Sequence, residues 1–349
     1  MDIHFLAPGD PAERTGGHIY NQRLLAELQA HHGQVRYQSL PGDYPEPDDA
    51  ARTAARDFLA GIADDAIVVI DGLALGGIPD EVEAEAERLR IVGLVHLPLA
   101  AEFGLARELL EARGRAEQRA LMACRRIIAN SEFTRDQLRA RGFGANRIDV
   151  VVPGTDPAPL AAGTAPAAPL HLLCVAALTP RKGQDLLVDA LCGLIDLDWR
   201  CELVGSLERD PAFAADVRQR VEAAGLGDRI TFAGELAGAE LEAAWARADL
   251  AVLASRYEGF GMVLTEAVAR GLPVVATAGG AVAEALPTGT GVLAAPSDVT
   301  ALRAALFEVM ADPERRAALV AGAQAARPAL PDWPTQAKRF HAALERTGG

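Results

Sequence analysis

The 349-residue chain has little lysine, little cysteine and few aromatic residues. Lysine occurs twice, at Lys182 and Lys338, where arginine is otherwise the basic residue. A lysine kept where arginine is the default marks a position to examine. The four cysteines, Cys124, Cys174, Cys192 and Cys201, contain no Cys-x-x-Cys. That spacing excludes a zinc or disulfide framework. Cys124, Cys174 and Cys201 sit in or beside apolar runs and read as small core hydrophobes. With aromatics at 5%, the core must be built from Ala, Val, Leu and Ile. A net charge of −14 lacks the basic footprint that binds nucleic acid. No apolar stretch reaches spanning length, and Met1-Asp2-Ile3-His4-Phe5 does not begin a basic-then-apolar leader. A cytoplasmic location is expected. No Gly-x-Gly-x-x-Gly follows the first apolar run, which disfavours a nicotinamide dehydrogenase. No Gly-x-Ser-x-Gly nucleophile elbow or His-x-x-x-His metal pair stands out. Asp196-Leu197-Asp198 has the look of a metal motif but reads as a chance turn before an apolar run.

What is present is an apolar half of the chain, with length enough for two cores. Short apolar runs at 3–7, 35–39, 66–70, 91–96, 126–129 and 148–152 read as strands. Helical patterns at 18–31, 80–88, 102–122 and 132–141 lie between them. Several runs are continuous Val/Ile/Leu rather than alternating, as in a parallel sheet buried on both faces. Arg107, Arg113, Arg115, Arg119, Arg125 and Arg126 interleave with Glu108, Glu111 and Glu117. They read as a solvated face laced with ion pairs. A Pro/Ala stretch with no periodicity or charge then interrupts the pattern. Strand-like runs resume at 170–177, 201–204, 230–232, 250–253, 274–276 and 291–293, and two helical stretches close the chain near 315–325 and 334–345. Strand–helix alternation implies two doubly wound α/β domains. Residues 1–160 form the first and 170–330 the second. Residues 161–169 are the linker, and 331–349 a terminal helix.

One stretch carries the most chemistry: Ser255-Arg256-Tyr257-Glu258-Gly259-Phe260-Gly261-Met262-Val263-Leu264-Thr265-Glu266. A strand ends near Ala254, and Gly259 and Gly261 leave amides exposed before a helix. Such amides attract phosphate. Glu258 and Glu266 are acceptor-only carboxylates suited to sugar hydroxyls. Alternatively, they are a capping acid and a solvated helical glutamate. Arg181-Lys182-Gly183 follows another strand end; a planar fork and a point charge both suit phosphate. Gly16-Gly17 precedes a helix, and His96 ends a strand.

Glu258-Gly-Phe-Gly with Glu266-Ala resembles the Glu-x7-Glu signature of glycosyltransferase family 4. The resemblance continues through Ala267-Val-Ala269-Arg-Gly271-Leu-Pro273-Val-Val-Ala-Thr277, Gly279-Gly280, Glu284, Gly289-Thr-Gly291 and Asp298. Ala283 stands where that family often has Pro. Asn130-Ser131 and Pro153-Gly154-Thr155-Asp156 are similar to further family elements, the latter without its usual Asn. The resemblance implies a GT-B architecture, two Rossmann-like domains facing a central cleft. The last helix would cross back to the first domain. It implies retaining, metal-independent transfer of a sugar from a UDP- or GDP-sugar, with no cofactor. Under it, Arg181 and Lys182 hold the donor diphosphate, and Gly16 and Gly17 let the backbone approach the diphosphate or the sugar. Glu258 with the Gly259, Phe260 and Gly261 backbone positions the sugar, His96 orients it, and Glu266 takes the ribose hydroxyls. The acceptor, a small molecule, glycan or lipid, would meet loops at 10–15, 71–77 and 97–104, with Asp10, Glu13 and Arg14 in the first. Partners would exclude nucleic acid and include at most peripheral membrane contact. Two alternatives are a GT-B nucleotide-sugar epimerase or hydrolase, and a non-catalytic nucleotide-sugar-binding protein.

Overall fold

The computed structural model describes residues 2–9, 15–32, 35–165 and 167–348. Asp10, Glu13 and Arg14 lie outside the described residues, as does Pro166 of the Pro/Ala stretch. The chain divides into two compact units, Met1–Gly154 with Pro331–Gly349, and Thr155–Leu330.

The first unit is built on six parallel strands: β1 (Ile3–Pro8), β2 (Val35–Leu40), β3 (Ile67–Asp71), β4 (Arg90–Val95), β5 (Arg126–Ala129) and β6 (Ile148–Val150). Their order is β2-β1-β3-β4-β5-β6. All of β3 is buried, Ile67 to Ile70 in the sheet and Asp71 at its carboxyl end. The order reverses between β1 and β3, and ligands of open parallel sheets bind beyond the carboxyl ends at such a reversal.

The second unit repeats the plan with β7 (Leu170–Val175), β8 (Trp199–Val204), β9 (Ile230–Gly234), β10 (Leu250–Leu253), β11 (Val274–Thr277) and β12 (Gly291–Ala294). The order is β12-β11-β10-β7-β8-β9. Here the reversal falls between β7 and β10, which pair directly although two strands separate them in sequence. Helical Leu187, Leu191, Val217, Leu302 and Val309 pack with Trp199 into its core. No helix of the described residues is long and apolar enough to cross a membrane.

Three segments differ from the sequence reading. Residues 72–77, expected as a loop, form the helix Gly72–Gly77, begun by the Asp71 carboxylate accepting from the Leu73 N–H at 3.0 Å. Its glycines are what disguise it. A Cβ on Gly76 would strike the Leu99 side chain, and one on Gly77 would lie 2.9 Å from the Tyr44 ring. Second, the Pro/Ala stretch is tied to the second unit. Ala161 and Ala162 N–H donate to the Arg270 and Ala246 carbonyls at 2.9 and 2.8 Å, and Thr164 bonds Asp249 twice. Third, Glu117 is not solvated. It is 1% exposed and takes hydrogen bonds from Arg141 and from the Leu99 N–H at 3.1 Å. The rest of that helix, Arg107–Ala123, carries the expected ion pairs, Arg107 with Glu111, Arg113 with Glu46 and Arg119 with Asp80.

The terminal helix Trp333–Glu345 belongs to the first unit and is capped by Asp332, which accepts from the Thr335 N–H at 2.7 Å. Trp333 meets the Tyr20 ring edge-on with centroids 5.8 Å apart.

Candidate functional site

In the second unit, the carboxyl ends of β7 and β10 bring Arg181, Lys182 and Glu258 into contact. After β7 the chain makes one turn of 3-10 helix, Pro180–Lys182, closed by the Lys182 N–H on the Thr179 carbonyl at 2.9 Å. Gly183 follows at φ 68°, a left-handed conformation. A Cβ there would collide with the Ala254 carbonyl, so only glycine lets this turn lie against the end of β10. The Arg256 N–H donates to the Arg181 carbonyl at 2.8 Å. The Arg256 guanidinium grips Asp185 at 2.9 and 2.6 Å and also bonds the Pro180 carbonyl.

Glu258 is the centre of this cluster. Lys182 Nζ and Ser255 Oγ both donate to Oε1 at 2.6 Å, and Arg181 Nη1 stands 3.5 Å from Oε2. Burial pushes the Glu258 carboxyl up, but Lys182, Arg181 and the Ser255 hydroxyl outweigh it and hold it below the usual glutamate value. Burial pushes Lys182 down from the usual lysine value, with Glu258 opposing. The backbone is fixed as firmly. Glu258 N–H donates to the Gly279 carbonyl at 3.1 Å, and the Ala281 N–H to the Glu258 carbonyl at 2.9 Å. Gly280, at φ 70°, has no room for a Cβ against the Glu258 carbonyl. Thus the Gly279-Gly280 pair serves to seat Glu258.

Gly259, Phe260 and Gly261 carry the chain from Glu258 to the helix Met262–Ala269. The N–H groups of Phe260, Gly261, Met262 and Val263 have no acceptor among the described residues. They form an anion-attracting edge next to two cations. Glu266 lies in the second turn, away from the cluster. Its carboxylate makes no hydrogen bond or ion pair among the described residues, and burial raises its pKa, opposed by Arg270. A half-buried, unpartnered acceptor of this kind suits hydroxyl donors.

The first unit brings together Gly17 and His96. The helix Gly16–His32 starts beyond β1, and a Cβ on Gly17 would lie 3.3 Å from His96 Cδ2. Gly16 faces open space. His96 Nε2 lies 2.9 Å from Asn21 Oδ1 and 3.3 Å from Asp71 Oδ2, and its ring meets Tyr20 edge-on at 4.9 Å. Burial pushes Asp71 up, but bonds from His96, Asn21 and the Leu73 N–H hold it below the usual aspartate value. Asn130 and Ser131 do local work: Ser131 caps the helix Glu132–Ala140. Asp196 and Asp198 are exposed in the turn before β8, and no metal-binding group of three or more His, Cys, Asp or Glu occurs among the described residues.

Sequence reasoning gave no role to Ser255, Arg256, Asp185 or Asn21, and placed Asp71 only at the start of a candidate acceptor loop. Ser255 and Arg256 stood in the quoted stretch with a polar group at a strand's end as their signal. Asp71, a charge ending an apolar run, carried the same signal. Asn21 and Asp185 carried none, being polar residues on helices.

Residues 162–326 match the family model described as glycosyl transferases group 1, and residues 80–159 match glycosyltransferase family 4. The lipopolysaccharide core biosynthesis mannosyltransferase LpsB of Rhizobium meliloti is 39% identical over 152 residues, 42% of each chain. The match therefore spans less than half of that relative's length. Sucrose-phosphate synthase from Thermosynechococcus elongatus superposes with a TM-score of 0.82 at 23% identity, covering 99% of both chains. Anabaena HepE in complex with UDP and glucose gives 0.76 at 19% identity, again over 99% of both. The fold is GT-B, and with both family models matched in order along the chain, this protein belongs to glycosyltransferase family 4.

Proposed function

We propose that the chain is a retaining, metal-independent hexosyltransferase that takes a sugar from a UDP- or GDP-sugar and gives it to a hydroxyl of a small-molecule, glycan or lipid acceptor. The observation that carries this reading is the Arg181–Lys182–Glu258 cluster beside four unpaired amides at the β7/β10 reversal. The pyrophosphate would lie on those amides and cations. Lys182 Nζ has three N–H donors and commits one to Glu258, leaving two for phosphate oxygens. As the anomeric carbon–oxygen bond breaks, charge grows on the leaving phosphate, and Arg181 and Lys182 offset it. The acceptor oxygen bonds the same face of the carbon, and its proton passes to the departing phosphate. No side chain becomes a covalent nucleophile; positioning carries the rate.

Glu258 keeps Lys182 and Arg181 oriented and, with the following backbone, positions the sugar. Glu266 accepts the ribose hydroxyls. Gly16, Gly17 and His96 are the substrate-facing groups proposed for the first unit. The match to a mannosyltransferase and the fold shared with a UDP-binding protein support a nucleotide-sugar donor. The setting proposed is cytoplasmic, with at most peripheral membrane contact.

A thermal-shift screen of UDP, GDP and their sugars tests the donor side. One nucleotide family should raise the melting temperature by several degrees at millimolar ligand. No shift with any of them would contradict the reading.

A further inference from the structure

The buried polar chain behind His96 has a direction, and that direction fixes a proton. It starts at the helix Gly72–Gly77, whose Leu73 N–H donates to Asp71 Oδ1 at 3.0 Å. Asp71 is 4% exposed and held ionised, so both its oxygens only accept. Asn21, 3% exposed, stands 2.7 Å from Asp71 Oδ2. Of its two amide ends, only the NH2 can face an acceptor-only oxygen, so Asn21 Nδ2 donates to Asp71. Its carbonyl oxygen is thereby turned to His96 Nε2, at 2.9 Å. Asp71 Oδ2 itself is 3.3 Å from the same nitrogen. His96 Nε2 thus faces two acceptors and no donor. An imidazole nitrogen so placed carries its hydrogen. In the neutral ring the other nitrogen, Nδ1, is then an acceptor. Turning the ring over would put Cε1 in place of Nε2 and lose both of these contacts, so the two acceptors also hold the ring's orientation.

We infer that Asp71 and Asn21 are positioning residues that hold His96 as its Nε2–H tautomer, so that Nδ1 accepts a hydrogen bond from a substrate hydroxyl. This rests on the proposed sugar transfer for the nature of the ligand, while the tautomer stands on the first unit alone. A hydroxyl-bearing ligand would donate to His96, and an analogue lacking that hydroxyl would leave Nδ1 unpaired. In this scheme Asp71 never meets the substrate. It acts through an amide, and its charge matters because a neutral side chain would let the amide reverse.

The test is a long-range 1H–15N spectrum of histidine-labelled full-length protein at about pH 8, above the ordinary histidine range. His96 is assigned by comparison with His96→Gln. The wild type should show His96 as a single species protonated at Nε2 and bare at Nδ1. Asp71→Asn should give a mixture of tautomers, and where transfer is measured its kcat/KM should fall about tenfold, the factor that corresponds to ~1.4 kcal/mol. A wild-type ring protonated at Nδ1, or at both nitrogens, overturns the inference, as does a single Nε2–H species in Asp71→Asn. The wild-type spectrum decides the matter even if the variant does not fold. Sugar transfer by a protein whose His96 carries Nδ1–H would sink this inference and leave the proposed reaction standing. A fixed Nε2–H tautomer in a protein that transfers nothing would do the reverse.

Discussion

At Glu258 burial and charge pull in opposite directions, and the outcome is set by three neighbours from two strand ends. Ser255 is the least conspicuous of them, fully buried, with its hydroxyl on Glu258 Oε1. Ser255→Ala should cost ~1–3 kcal/mol, since it leaves a buried charged acceptor short of one bond; denaturant titration reads this, and an unchanged midpoint would remove Ser255 from the cluster. Glu266 has the opposite sign. Burial raises its pKa above the ordinary value of 4.5. Nucleoside-diphosphate affinity should therefore begin to fall while the pH is still above 4.5, as the carboxylate loses its acceptor character. Glu266→Gln should weaken binding roughly tenfold and flatten that pH dependence. Calorimetry that finds equal affinity would refute the ribose role. Lys182 was legible in the sequence because lysine is so rare here and Arg-Lys-Gly follows a strand. Glu258 was legible too, but its contact with Lys182 was not, because the 76-residue separation is closed only by the pairing of β10 with β7.

Elements were easier to read where burial on both faces forces a continuous apolar run. β3, Ile-Val-Val-Ile-Asp, and β10, Leu-Ala-Val-Leu, are such runs, whereas β2, Val-Arg-Tyr-Gln-Ser-Leu, is buried only at its two ends. The helix Gly72–Gly77 was hidden because glycine serves there for close packing and not for a turn. Helix Asp49–Ala60 also went unread: its buried face, Ala51, Ala55 and Leu59, is small and sparse. The turn at Gly183 is the element on which the cation pair depends. Gly183→Ala adds both a left-handed alanine and a clash with the Ala254 carbonyl. It should lower stability by ~2–4 kcal/mol and lower turnover more than that loss of folded protein explains. A variant with wild-type melting and turnover would show that the turn does not position Lys182.

At the scale of the molecule, two units with separate cores need not unfold together, so a single unfolding free energy is not assured. The pH dependence of melting is still defined in sign. Glu258 and Asp71 have depressed values when folded, so they stabilise above the ordinary 4.5 and 3.8, and that contribution is lost as the pH falls through their depressed values. Glu266 and Glu117 have raised values, so protonating them on the way down relieves a cost. Melting temperature should hold or rise slightly from about pH 7 to about pH 5 and then drop steeply below about pH 4. A steady fall beginning at neutrality would contradict these assignments.

The central claim is that Lys182 and Arg181 receive the charge that leaves with a nucleoside diphosphate. The most direct measurement is the rate of nucleoside-diphosphate release from UDP- and GDP-sugars, with an acceptor panel, by the wild type and by Lys182→Ala. Wild type should release one of the two, and Lys182→Ala should lower kcat/KM by roughly 100- to 1000-fold with the fold intact. Equal rates in the two proteins, or release from neither donor, would contradict the account.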